Sequence, residues 1–235
     1  MNKYILFAFS LLFFVSSCTH LDKHAASKDY PSLVDDPERY INNLYFGVNG
    51  YIIGDEDAKK IKDLHYNEKN TTYGEITYNG AQKLFQRLNL TEHDVFYDLG
   101  SGVGKLVVQA FLTTPVKKAA GIELIASRAQ EAQKALEALV QDGVTSKTSR
   151  IIMFEEKDIL KSQLGDATVL FWSNLTWEKR VINNIMKKIL SSKHKMRLAS
   201  LVQLEASPYL VLKETTIVDV TWNRYGSTVY IYEIN

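Results

Sequence analysis

At 235 residues, with 46% hydrophobic and 11% aromatic content, the chain can bury one substantial core and a small appendage. Lys and Arg number 28 against 27 Asp and Glu, a formal charge of +1, which excludes a global field for nucleic acid. Cys18 is the one cysteine, so an internal disulfide is excluded as well.

The chain opens on Lys3 and an apolar run from Ile5 to Val15, interrupted by Ser10 and ended by Ser16, Ser17 and Cys18. That run is too short to span a bilayer, and its charged start, apolar middle and small-residue end fit a secretory signal over residues 1–17. The ending VSSC resembles the lipobox of bacterial lipoproteins, which implies a lipid on Cys18 and an exported protein anchored to a membrane at the periplasm or cell surface. A buried apolar helix with an incidental cysteine is the competing reading. Residues 18–36 are polar and charged with Pro31, as in a tether.

Residues 37–90 mix aromatics with short helical patches around Gly47, Gly50 and Gly54, which predicts a helical cap. Ala81, Leu84, Phe85 and Leu88 suit one helix face. From 91 to 235 the pattern sharpens. Val95 to Tyr97 with Leu99 predicts a strand, Lys105 to Leu112 a helix, KAAGIEL a strand, and Ala129, Ala132, Leu136, Leu139 and Val140 the buried face of a second helix. RIIMF and ATVLFW read as strands, and Val181, Ile182, Ile185, Met186 and Ile189 line a further helix. RLASLVQL, YLVLKETTIVDVTW and STVYIYEI are β-branched and aromatic, with no helix between the last two. Strands alternating with helices and then a closing antiparallel pair predict an α/β chain with a mostly parallel sheet and an antiparallel edge.

The segment DVFYDLGSGVGK carries the chemistry. A phosphate-binding P-loop needs a Gly five residues before its Gly-Lys pair and a Ser or Thr after the Lys; positions 99 and 106 are both Leu. A dinucleotide fingerprint has a different glycine spacing from Gly100, Gly102 and Gly104. Asp98, at the end of the first strand, would repel a pyrophosphate. S-adenosylmethionine carries no phosphate and offers an ammonium, a natural partner for an acidic strand end and free backbone groups. Glu123, 25 positions after Asp98 and at the end of the second strand, is placed to accept from both ribose hydroxyls. Asp158, after the third strand, is placed for the adenine amino group.

With these residues in hand, the chain from Tyr73 to Asn235 resembles the non-SET, class I lysine methyltransferases of the disruptor-of-telomeric-silencing type. Tyr73, Gly74 and Glu75 look like that family's upstream cofactor loop, and DLGSGVG like its glycine loop. FWSNLTW is similar to its fourth-strand segment and VTWNRYGSTVYIY to its closing hairpin. The resemblance implies a Rossmann-like class I methyltransferase fold in which Tyr73, Gly74 and Glu75 close over the methionine end, while Asp98, Gly100, Gly102, Gly104, Glu123 and Asp158 bind S-adenosylmethionine. It further implies that Ser173 or Asn174, Trp177, Trp222 and Tyr230 line a channel for an acceptor lysine of a protein substrate, such as a histone of a host cell. Two positions depart from the family: Lys105 stands where it has an uncharged amide, and Ser173 where it has a first asparagine.

In-line methyl transfer asks the protein to position two reactants and exclude water. An aromatic channel would also favour the neutral amine by desolvation, so no dedicated base is required. The basic run Lys187, Lys188, Lys193, His194, Lys195 and Arg197 falls between a helix and the fifth strand, at the sheet end away from the cofactor, and reads as a solvated turn. The five histidines show no metal-ligand spacing. A methyltransferase acting on a small molecule or another residue type, and a surface-anchored binding module that retains the fold, are the competing functions.

Overall fold

The computed structural model describes residues 30–192 and 194–235; the signal run and Cys18 lie outside them. The chain runs α1 (Pro37–Leu44), α2 (Asp55–Asp63), α3 (Tyr78–Leu88), β1 (Val95–Leu99), α4 (Lys105–Thr113), β2 (Lys118–Glu123), α5 (Ala126–Gln141), β3 (Ile151–Glu156), β4 (Val169–Trp172), α6 (Lys179–Ser191), β5 (Met196–Ser200), β6 (Leu210–Val218) and β7 (Ser227–Ile234). The strands form a seven-stranded sheet ordered β3-β2-β1-β4-β5-β7-β6. β1 to β5 pair in parallel, and β7 joins antiparallel to both β5 and β6. The predicted mostly parallel sheet with an antiparallel edge is therefore the observed one. The chain winds outward from β1 to β3 and returns to β4 on the other side of β1. The carboxyl ends of β1 and β4 thus flank the point where the winding reverses, and in open α/β sheets that is where a crevice opens.

Helices cover both faces of the sheet, so its central strands are mostly apolar, and β1 is buried at all five positions, Asp98 included. Successive side chains divide between the two layers as the pleat requires. Phe96 and Phe171 join Leu84, Val107 and Phe111 on one face, while Tyr97, Leu99, Leu170 and Trp172 join Ile185 and Ile189 on the other. Ile41 of α1 and Ala81, Leu84, Phe85 and Leu88 of α3 belong to the first of these layers; α1 packs on α4, and α3 on α4 and β6. Each large apolar side chain buried this way contributes about 1.5–3 kcal/mol. α3 is delimited locally: Thr77 accepts from the backbone N–H of Gly80, and Asn89, at φ 47°, ends the helix in the left-handed region.

One helix face differs from expectation. On α5 the buried stripe is Arg128, Ala129, Ala132, Ala135 and Leu139, and Val140 is 56% exposed. The stripe follows the i, i+3, i+4 rows, and Val140 lies a further 100° round the helix from Leu139. At the opposite end of the sheet from the crevice, the basic turn is tied down by hydrogen bonds. Lys188 donates to the carbonyl of Leu160 (2.8 Å), an imidazole nitrogen of His194 bonds that of Ala167 (2.7 Å), and Arg197 pairs with the buried Asp94. Asp94 in turn accepts from Thr168 and Thr91, which ties the entrances of β1, β4 and β5 together.

Candidate active site

β1 runs straight into the glycine loop. Gly100, Gly102 and Gly104 all have positive φ, at 85°, 55° and 88°. At Gly102 the constraint is steric as well, since a Cβ would lie 2.7 Å from the ring of Tyr73. The N–H groups of Gly100 and Ser101 both donate to the carbonyl of Ile122, at 2.8 and 3.1 Å, which fastens the loop to β2.

Two buried carboxyl groups stand at the ends of β1 and β2. Glu123 is 6% exposed and accepts from the N–H of Gly102 (2.7 Å) through one oxygen and from that of Ile125 (2.9 Å) through the other. Burial pushes its carboxyl up, and those N–H groups together with the charge of Arg128 work against that rise. Each oxygen keeps a lone pair for another donor. Asp98 is 4% exposed, and its Oδ1 has no hydrogen-bond partner among the described residues. Burial and, secondarily, the charge of Glu123 push Asp98 up to about 8. A buried acceptor without a donor costs free energy, so the site is incomplete until a donor arrives.

Asp158 follows β3 and caps the short turn Ile159–Lys161 by accepting from the N–H of Leu160 (2.8 Å). Its second oxygen accepts from the hydroxyl of Tyr66 at 3.0 Å; burial, and then the carboxylate beside it, push that phenol up to about 12.

Residues 66–76 lie across the crevice as a strap. Tyr73 donates to Glu75 Oε1 (2.6 Å), and Lys105 Nζ donates to Glu75 Oε2 (2.6 Å). The Lys105 cation that departs from the family pattern is thus matched by Glu75. The strap is annexed to the end of the β6–β7 hairpin. Thr221 N–H donates to the carbonyl of Glu75 (2.9 Å), Glu75 N–H donates to the Thr221 hydroxyl (3.1 Å), and Ile76 bridges Val220. The Trp222 ring lies on Gly74 so closely that a Cβ there would sit 2.4 Å from it.

The cavity under the strap is lined by Tyr73, Gly74, Glu75, Asp98, Gly100, Gly102, Glu123 and Asp158, and on the far side by Phe171, Ser173 and Trp177. The Trp177 ring stands 3.3 Å from where a Cβ of Gly100 would be and meets Trp172 edge to face. Four of the expected residues do not form its wall. Gly104 packs against Phe154 and Ala132. Asn174 is fully buried, with its carbonyl accepting from Ser200 Oγ and Val202 N–H, both at 3.1 Å. Trp222 donates to Ser227 Oγ (3.1 Å) and backs the strap from outside, and Tyr230 lies on β7 between Ser200 and Thr215. Tyr66, Asn70, Arg128 and Ile185 also line the cavity and were not singled out by the sequence. For Arg128 a signal existed, because a cation in the first turn of a helix runs against the helix dipole and needs another reason to be there.

The two acids suit a ligand bearing a cation and hydroxyl donors and disfavour a phosphate, and the unpartnered Asp98 Oδ1 is the place for such a donor. Sheet, glycine loop and acid pair together define a class I methyltransferase fold with a cofactor crevice suited to S-adenosylmethionine. The chain belongs to the family of the histone methylation protein DOT1, whose model matches residues 53–225. A histone-lysine N-methyltransferase, H3 lysine-79 specific, of Candida glabrata is 25% identical over 175 residues, which is 71% of this chain and 26% of that protein. A protein-lysine N-methyltransferase of Saccharolobus islandicus is 27% identical over 110 residues, 47% of this chain and 64% of that one. This chain therefore spans about a quarter of the Candida glabrata protein's length. Among solved structures, an RNA methyltransferase from Salinibacter ruber in complex with S-adenosyl-L-homocysteine aligns over 66% of this chain and 89% of that one, with 22% identity and a TM-score of 0.48.

Proposed function

We propose that this protein transfers a methyl group from S-adenosylmethionine to the side-chain amine of a lysine in a protein substrate. The observation that carries the reading is the buried pair Asp98 and Glu123 beside a positive-φ glycine loop, closed over by the Tyr73-Gly74-Glu75 strap. Membership of the DOT1 family supports it, as do the lysine methyltransferases of Candida glabrata and Saccharolobus islandicus.

When bound, the cofactor would supply an electrophilic methyl group on a sulfonium; a neutral lysine amine would take that methyl in line, S-adenosylhomocysteine leaving as a neutral thioether and the positive charge passing to the methylated amine. The chain's own residues bind, orient and desolvate. Asp98 takes the amino-acid end, Glu123 the ribose hydroxyls and Asp158 the adenine amine. The strap, held by Glu75 to Lys105 and Thr221, excludes water from the reacting side. The acceptor enters past Phe171, Ser173 and Trp177; apolar surroundings lower an amine's pKa, and the Ser173 hydroxyl can accept from the amine and fix its direction. In this reading Trp222 acts through Gly74, and Asn174 through the backbone of Val202.

The substrate is an extended protein segment presenting a lysine, with a histone of a host cell as one such substrate. Residues 1–17 direct export, and a lipid on Cys18 anchors the protein to a membrane at the periplasm or cell surface; of the expected tether over residues 18–36 the last part is docked, since Leu33 N–H donates to the Leu112 carbonyl (3.1 Å) and Leu33 and Val34 pack on the core. Titration of residues 30–235 with S-adenosylhomocysteine, followed by labelled methyl transfer into histone and bacterial protein mixtures with the site read by mass spectrometry, tests the proposal. Absence of binding rejects the cofactor. Label on anything other than lysine moves the assignment to a small molecule or another residue type, and binding without transfer leaves a binding module.

A further inference from the structure

Tyr66, Tyr73 and Ile76 pack the two ends of the strap on the core, but between them the one-turn helix Glu68–Thr71 buries none of its residues. Polar partners on two flanking helices hold this middle part. On the α6 side, Asn70 accepts from the N–H of Glu178 (3.0 Å), and Arg180 donates to the carbonyl of His65 (3.0 Å). On the α5 side one residue carries the load. Arg128 Nε donates to the carbonyl of Gly50 (2.7 Å), its Nη2 donates to the carbonyl of Thr71 (2.8 Å), and its guanidinium lies 4.9 Å from the centre of the Tyr73 ring.

This guanidinium is 5% exposed and sits in the first turn of a helix, where the dipole opposes it. Neither burial nor position recommends a cation there for stability. Its compensation comes from Glu123 and from Asp57 of α2, whose carboxylate caps α5 by accepting from Ala126 N–H (2.7 Å), Ser127 N–H (3.1 Å) and Ser127 Oγ (2.8 Å). A lysine could reach one carbonyl but could neither span two nor lie flat against Tyr73.

We infer that Arg128 is the positioning residue that keeps the strap closed over a bound cofactor, an inference that rests on the cofactor reading above. Opening the strap requires the Thr71 carbonyl and the Tyr73 ring to leave the guanidinium, so the contact controls ligand release more than ligand encounter.

Release of S-adenosylhomocysteine, measured by displacement in stopped flow, tests this on the parent, Arg128→Met, Arg128→Lys and the exposed control Lys134→Gln. The expected dissociation rate rises tenfold or more in Arg128→Met and to a lesser degree in Arg128→Lys, and stays at the parent value in Lys134→Gln. A residue serving only the fold would lower the melting temperature and the binding amplitude, and leave the release rate of the folded fraction unchanged; that result overturns the inference. Hydrogen exchange of the parent over residues 66–76 decides the matter if neither variant folds: saturating S-adenosylhomocysteine slows strap exchange at least tenfold, and equal exchange with and without ligand overturns it. A parent that does not bind S-adenosylhomocysteine instead rejects the cofactor reading, so the two failures are told apart.

Discussion

Replacing Asp98 by Asn separates what the cofactor needs from what the fold would prefer. In the folded protein burial and Glu123 push Asp98 from 3.8 to about 8, with no donor on Oδ1. The folded state therefore keeps its proton to a higher pH than the unfolded chain does. Between about pH 4 and pH 8 the folded state binds more protons, so stability falls as pH rises, at up to about 1.4 kcal/mol per pH unit for this group. Over that window the loss is on the order of a few kcal/mol, and it is complete above pH 8. Asn has nothing to ionise and lacks this slope. Urea denaturation of parent and Asp98→Asn at pH 5 and pH 8.5 is expected to show a parent that weakens markedly at the higher pH and a variant that weakens much less. S-adenosylhomocysteine binding is expected to fall by roughly 1.5 to 3 kcal/mol, the scale of a charged hydrogen bond. In the parent at pH 6 to 7, binding of the ammonium-bearing ligand should release a proton, visible as a calorimetric heat that depends on the buffer's ionisation enthalpy. Equal pH dependence of stability in parent and variant, or ligand binding without proton release, would refute the account of Asp98.

Gly74→Ala places a Cβ 2.4 Å from the Trp222 ring, so the strap must shift; S-adenosylhomocysteine affinity is expected to drop about tenfold, or about 1.4 kcal/mol, with a small change in melting temperature. Asp94→Ala leaves Arg197 without its carboxylate at the far end of the sheet, and denaturation should show a loss of about 3 kcal/mol while the affinity of the folded protein for S-adenosylhomocysteine is unchanged. Cys18→Ala is expected to move the processed protein from the membrane to the soluble fraction on cell fractionation, since a short apolar run cannot hold it after cleavage; membrane retention of the processed variant would count against lipidation.

The sheet was legible because its strands are short apolar runs set between helices of clear period, and the glycine loop because Gly100 and Gly102 sit where the backbone must turn with positive φ. Asp98 and Glu123 were legible for the same reason: strand ends in such a sheet point at the crevice. What the sequence did not reveal is long-range polar pairing. Thr221 meets Glu75 across 146 positions and Tyr66 meets Asp158 across 92, and neither pair leaves a periodic trace. Ser173 and Asn174 were left as alternatives, and neighbours just past a strand tend to face opposite ways. Ser173 faces the cavity and Asn174 the buried Ser200. Val140 was assigned to a buried face by its apolar character, whereas the geometry of α5 gave that face to Arg128.

The pairing of residues 75–77 with residues 219–221 has a consequence for how the protein is made. During synthesis the glycine loop, Glu123 and Asp158 can take shape while the hairpin strands are still to come, but the strap lacks its backbone pairing at residues 75–77 until Asp219 to Thr221 have left the ribosome. A nascent chain therefore holds ligand under a strap fixed at fewer points. Tight retention of the cofactor begins once the last hairpin is in place, which makes ligand capture a late step of maturation.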